Sequence, residues 1–317
     1  MLINKTLAIA ALARDCEKSL ISNIPRIEDL RSHFINSYVV IYENDSVDST
    51  VNILEEWSSS SNAVYIVSEK ISKENTIPQR NFKNLIPGIS ISRINKMSIF
   101  RNKLLEKVRA YGPPPDYLLI IDIDIYSFDV NGIIKSIVNA PLDWGALFSN
   151  GTYFYKKSGD FIPLPFQYDY YAYVDMETDV NKQSYSSMFP LPSFYKAWSL
   201  SKKINKKKFY KAMSGFGGIA IYKYNLIDGL IYNPVVPEGW EKRGCCLCEH
   251  ISVNLKIAQT NHSCYFSSHM KVNYGMINYQ GIKGLIFRRF PVGLSFILSI
   301  YDTLLLCFRI ILSLLLR

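Results

Sequence analysis

Cysteine and histidine are scarce, with six Cys and four His in 317 residues. The cysteines (Cys16, Cys245, Cys246, Cys248, Cys264 and Cys307) are spaced irregularly, which excludes a disulfide framework and points to a reducing compartment. Cys245, Cys246 and Cys248 beside His250 lack the paired C-x₂₋₄-C spacing of a structural zinc site. Acids are in deficit, giving a net charge of +9. No nucleic-acid-binding motif accompanies that excess, so nucleic acid ranks below a phosphate-bearing ligand or an anionic membrane surface. The glycine run at Gly215, Gly217 and Gly218 lacks the lysine and spacing of a phosphate-binding P-loop. At the N-terminus, the apolar run Leu7 to Ala13 is too short for a secretory leader. It meets Arg14 and Asp15 at once and reads as a first buried strand. Disorder is excluded by a composition 48% hydrophobic, with 22 Tyr and 17 Phe.

The most informative stretch runs from Tyr117 to Phe128. A continuous apolar run after three prolines (113–115) reads as a strand buried on both faces, as in a parallel sheet, and ends at Asp122, Ile123 and Asp124. Ligands bind beyond the carboxyl ends of such strands in open α/β sheets. Period-two alternation places Asp122 and Asp124 on one side and Ile123 on the other. Two carboxylates that close repel unless a cation lies between them, and hard oxygen ligands suit Mn or Mg carrying a diphosphate. Solvated aspartates ending a strand are the plain alternative.

In chain order, strands are expected at 6–13, 38–42, 63–67, 117–121 and 144–149, with another after Gly218. Helices are expected at 16–34, with Pro25 early in it or dividing it, from Asp48 or Ser49 through Trp57, from Ser90 or Ser92 to about Tyr111, at 130–139 and from Cys245 to about Ala258. Residues 68–92 read as a surface excursion, and 152–210 as an active-site excursion followed by a basic loop. Arg101 falls roughly 20° from Ile94 at ~100° per residue, on the apolar face of its helix. It must find an anion there, either a phosphate or nucleotide or a structural salt-bridge partner, or reach outward. Glu249, at a helix start, either complements the helix dipole or serves as a catalytic carboxylate. His269 is either structural or a third ligand beside the two aspartates.

The motifs Arg14-Asp15, Glu43 to Thr50, Phe100 to Asn102, Asp122-Ile123-Asp124, Asn150-Gly151, Tyr168 to Ala172, Gly215 to Tyr222 and Cys248 to His250 occur in an order that resembles GT-A glycosyltransferases. The nearest group is the fungal capsule-associated α-1,3-mannosyltransferases with their bacterial relatives, over about residues 5–270. The resemblance implies a GT-A-like, mostly parallel α/β sheet flanked by helices, a nucleoside diphosphate sugar donor and a divalent metal, usually Mn. It also implies that Glu43 and Asp45 contact the nucleoside and Arg101 the donor. Asp122 and Asp124 would hold ribose and metal-diphosphate, Asp169 and Glu249 would lie near the sugar, and Arg14 and Asn150 would belong to the donor site. Retention of anomeric configuration follows from the resemblance alone. An inverting mechanism would make Glu249 the natural general base.

The expected organisation is a catalytic domain over 1–283 and an apolar tail over 284–317. From Phe290 to Phe308 the tail is almost wholly apolar apart from Asp302, and its polar stripe is narrow. An acid in mid-bilayer costs about 2.5–3.5 kcal/mol on insertion scales. The tail therefore reads as a helix sunk into one leaflet with Arg288 and Arg289 on anionic headgroups. The expected function is metal-dependent transfer of a hexose to a surface-glycan or lipid-linked saccharide at the cytoplasmic face of a bacterial inner membrane. A nucleotidyltransferase presenting paired aspartates, or an inactive membrane-bound assembly protein, are the alternatives.

Overall fold

The structure, a computed structural model, describes residues 2–71, 90–157, 160–188 and 190–276. Its contacts divide the chain into one unit over Met1–Ile277 and another over Asn278–Arg317. The apolar tail read from the sequence lies outside the described residues, as does most of the excursion at 68–92.

Three parallel pairings form one half of the sheet. Strand β1 (Ile3–Ala13) lies between β2 (Phe34–Asn44) and β4 (Tyr117–Asp122), and β3 (Val64–Glu69) pairs outside β2. Alternate residues explain the continuous apolar runs. Ala8, Ala10, Val40, Leu118 and Ile120 enter one buried cluster; Leu7, Ile9, Ile41, Leu119 and Ile121 enter the other. A strand with both faces covered must be apolar at every position. Helices α1 (Glu17–Ser32), α2 (Thr50–Ser60) and α4 (Val130–Val138) cover the second face, whereas α3 (Ile91–Tyr111) covers the first.

The other half of the sheet is mixed. Strand β9 (Ile219–Lys223) inserts antiparallel between β4 and β6 (Trp144–Lys157), and β10 (Ser263–Met276) runs parallel to β6. The short β5 (Ser127–Phe128) and β8 (Phe209–Ala212) pair with β10, and β7 (Asp160–Gln167) pairs with β6. Helices α5 (Pro190–Asn205), α6 (Tyr224–Ile227) and α7 (His250–Ala258) are the remaining α-helices among the described residues, and α5 and α7 contribute Leu200, Ile204, Ile251 and Ile257 to the first cluster.

Several elements differ from the sequence reading. Helix α1 passes through Pro25 unbroken, since its buried Leu20, Asn23, Ile27 and Leu30 hold one face on the sheet. Strand β6 continues past Asn150 and Gly151, because Gly151 allows the backbone of Gly217 to approach where a Cβ would collide. The supposed basic loop is instead helix α5, a tight turn and strand β8. Helix α7 begins at His250, five residues later than Cys245, and Cys245, Cys246 and Cys248 are buried free thiols. Ser90 does cap α3, its hydroxyl accepting from the Arg93 amide at 3.3 Å.

Candidate active site

The carboxyl ends of β1, β2 and β4 form one rim, and the loops leaving β1 and β2 are laced together there. Asp15 accepts from the Val47 amide at 2.8 Å, and Thr50 Oγ1 accepts from the Cys16 amide at 2.8 Å. Asp48 accepts from the Glu17 amide at 3.2 Å while Glu17 accepts from the Ser49 amide at 3.1 Å, so each loop satisfies free donors at the other's helix start. Glu43 is buried and already engaged: Oε1 accepts from the Ser46 amide at 2.8 Å and Oε2 from the Ser68 hydroxyl. Asp45, in the left-handed region at φ 54°, accepts from the Ile71 amide at 2.9 Å and from Asn44. Both acids therefore shape the rim, and a nucleoside reaching either would compete with these bonds. Arg14 is exposed, 3.6 Å from Asp15.

On the adjacent strand, Asp122 is the last residue of β4, so strict alternation does not extend to Asp124. A turn follows, closed by the Ile125 amide donating to the Asp122 carbonyl at 3.2 Å. Ile123 is buried, Asp122 is half-buried and Asp124 is exposed, so the two acids still turn away from the core that takes Ile123. Asn23 of α1, fully buried, holds the turn from behind by donating to the carbonyls of Ile125 at 2.7 Å and Ile123 at 3.3 Å. Ser19 adds a bond to the Asp124 carbonyl at 3.1 Å.

Arg101 finds its anions here. Its Nε donates to Glu249 Oε1 at 2.8 Å, and Nη2 lies 3.4 Å from Asp122 Oδ1. Arg101 is 5% exposed, and its guanidinium faces the rings of Phe216 at 5.4 Å and Tyr232 at 6.0 Å. Burial alone would raise the Glu249 carboxyl, but the charge and hydrogen bond of Arg101, with smaller contributions from His250 and the backbone, together outweigh it and hold the group down to about 2. Asp122 goes the other way, pushed up to about 7 by burial, with Asp124 and Glu249 opposing its charge and Arg101 only partly compensating. Asp169, again left-handed at φ 56°, is raised well above the carboxylate range by burial and then by Asp122 and Glu249. His250 stacks on Phe216 at 3.9 Å, and burial followed by the charge of Arg101 keeps it neutral.

Sequence reasoning missed the aromatic wall of this site. The Tyr168 hydroxyl donates to Asp122 Oδ2 at 3.2 Å, and its ring lies 3.5 Å from that of Tyr274 on β10, with Tyr153 edge-on to both. It also missed the amide clamp in which Asn102 and Tyr232 exchange bonds of 3.0 and 2.7 Å, fixing the loop beside Arg101. The tyrosine-rich composition was a signal, but no spacing rule connects residues so far apart.

Two sequence-predicted residues lie on strands of the mixed half of the sheet. Asn150 is buried in β6, donating to Asn205 of α5 at 2.9 Å. His269 lies in β10 between Ser267 and Lys271, where the register with β6 breaks, and its carbonyl lies against Gly132 of α4. Among the described residues no three His, Cys, Asp or Glu side chains converge as a metal-binding group. The donor chemistry nevertheless fits a hard divalent cation. Asp122, Asp169 and Glu249 share one buried arginine, and burial, with mutual repulsion added, lifts Asp122 and Asp169.

A family model described as "Cryptococcal mannosyltransferase 1" matches residues 6–252. No curated protein matches the sequence. Similar solved structures include the mannosyltransferase PcManGT of Pyrobaculum calidifontis in complex with GDP-Man and Mn2+, at 10% identity over 90% of this chain and 61% of that one, with a TM-score of 0.47. They also include TarS of S. aureus, at 12% identity over 83% of this chain and 60% of that one, TM-score 0.40. A third is glucosyl-3-phosphoglycerate synthase of Mycobacterium tuberculosis in complex with Mn2+, uridine diphosphate and phosphoglyceric acid, at 14% identity over 90% and 78%, TM-score 0.39. The chain thus spans about 60% of the length of the first two.

Proposed function

Because the chain belongs to the cryptococcal mannosyltransferase 1 family, we propose that it is a glycosyltransferase moving a hexose, mannose first among them, from a nucleoside diphosphate sugar to a saccharide acceptor. The observation that carries this reading is the acidic cluster at the end of β4, where Asp122 and Asp124 stand beside a buried Arg101–Glu249 pair. Asp122 and Asp124 are the residues that would hold Mn or Mg. When bound, the cation neutralises charge developing on the departing diphosphate.

The remaining groups divide their roles by charge and burial. Glu249, ionised and held by Arg101, is a poor proton acceptor and acts as the fixed anchor of the guanidinium. Arg101 in turn positions Asp122 against the Tyr168 hydroxyl. Asp169, whose carboxyl is raised by burial, is in its ionised form the strongest base of the cluster, and as a carboxylate it would take the acceptor hydroxyl's proton if configuration inverts. If it is retained, the same residue lies beside the sugar without that duty. The tail at 284–317 is proposed to hold the enzyme at the cytoplasmic membrane face, beside a lipid-linked acceptor.

The test is product analysis with a panel of nucleotide sugars, GDP-mannose included, in Mn and in chelator. Release of nucleoside diphosphate with glycosylated acceptor is expected. Release of pyrophosphate would instead establish a nucleotidyltransferase. Asp124→Asn should remove most metal-dependent turnover with the fold intact, since Asp124 is exposed and the change alters charge more than volume. Unchanged Mn-dependent turnover in that variant would overturn the assignment.

A further inference from the structure

Helix α5 and the strand after it carry a charge pattern the catalytic cluster does not use. Between residues 190 and 212 the sequence holds Lys196, Lys202, Lys203, Lys206, Lys207, Lys208 and Lys211 and no acid. All but Lys196 are exposed, and among the described residues none of those six forms an ion pair. The α5 macrodipole accounts for Lys202 and Lys203 in its last turn, but not for Lys206, Lys207, Lys208 or Lys211 beyond it.

Aromatic rings accompany the lysines. Tyr195 is 64% exposed and lies 5.9 Å from Trp198, centroid to centroid. The ammonium of Lys202 sits 3.8 Å from the Trp198 ring centre, and that of Lys203 is 5.8 Å from Tyr210. Amphipathic rings beside lysines suit a bilayer interface, where the ring enters the headgroup layer and the ammonium meets lipid phosphate. A soluble polyanion would call on the lysines but would leave the exposed Tyr195 in water. The face is also joined to the catalytic side of the sheet. Helix α5 packs on β7 and on the Tyr170–Ala172 turn that follows Asp169, and Asn205 accepts a bond from Asn150 of β6.

We propose that the α5–β8 face, with Tyr195, Trp198 and the lysines from Lys202 to Lys208, docks on an anionic phospholipid surface. Docking here is independent of the tail and brings the segment bearing Asp169 close to the headgroup plane. It extends the reading above by adding a second membrane contact, and its readout requires no turnover.

The test uses the full chain with vesicles of phosphatidylcholine alone and of phosphatidylcholine containing phosphatidylglycerol. Anionic lipid should increase binding, and added salt should reverse the increase. In a full chain that already carries Arg288→Gln and Arg289→Gln, replacing Lys202, Lys203, Lys206, Lys207 and Lys208 together by Gln should reduce that anionic increment by about tenfold or more while leaving binding to the neutral vesicles unchanged. Trp198 supplies an internal probe, because Trp57, Trp144 and Trp240 are buried. Its emission should shift to the blue on anionic vesicles, and Trp198→Phe should abolish the shift. The proposal is overturned if the anionic increment survives the five substitutions, or if inorganic polyphosphate binds the face while anionic vesicles do not. Failure of donor hydrolysis would count against the enzymatic reading and leave this result standing.

Discussion

Arg101 keeps its charge at any pH the fold survives, so the acids around it must answer to it. Removing one of them leaves a buried cation short of compensation. Glu249→Gln should therefore destabilise the protein by about 3 kcal/mol, measurable as a denaturation shift. The pH dependence has a definite sign. The folded Glu249 carboxyl sits near 2, below its ordinary 4.5, so its contribution is complete above about 4.5 and disappears as pH falls toward 2. The melting-temperature gap between the native chain and Glu249→Gln should narrow over that window, and a gap constant with pH would exclude the ionised pair. The need of Arg101 for an anion was legible from its helical phase alone. The identity of that anion was not, because Glu249 is 148 residues away and no local pattern joins them.

At the scale of elements, the close crossing of β6 and the segment before β9 is the most exacting feature. Gly217 adopts φ +71°, and a Cβ there would strike the Ser149 carbonyl. Ser149 Oγ also donates to the Gly217 carbonyl at 2.7 Å. Gly217→Ala combines backbone strain with overpacking and should cost about 2–3 kcal/mol or more, read from urea midpoints. Elements with one dominant signal were legible: the buried strands β1, β2 and β4 through their unbroken apolar runs, and α3 through its Ser90 cap and repeating apolar face. Elements whose local signals conflict were not. Pro25 obscured the continuity of α1, Gly151 obscured the length of β6, and the lysine run concealed α5. In each case tertiary burial overrode the local cue. Asp122 does end β4 with Asp124 in the turn after it, yet that turn rests on Asn23, a contact formed only once α1 lies on the sheet.

At the scale of the whole molecule, the two proposed membrane contacts should be separable. No helix among the described residues is long and apolar enough to cross a membrane. Truncation after Gly284 should abolish binding to neutral vesicles, retain the salt-sensitive binding to anionic ones and preserve turnover on a soluble acceptor mimic. Loss of all activity together with aggregation of the truncated chain would place the tail in the catalytic core instead. The Arg101 cluster has a different kind of consequence. Its members come from α3, the end of β4 and the residue before α7, so the ion pairs join chain segments encoded far apart. A fragment ending after β6 would inherit the cation with Asp122 but without Glu249. Recombination between divergent relatives within that interval should therefore yield poorly folded chimeras unless positions 101, 122 and 249 descend from the same parent. Lineages that neutralise Glu249 should neutralise Arg101 as well. The electrostatics of one buried side chain thus make the gene hard to divide.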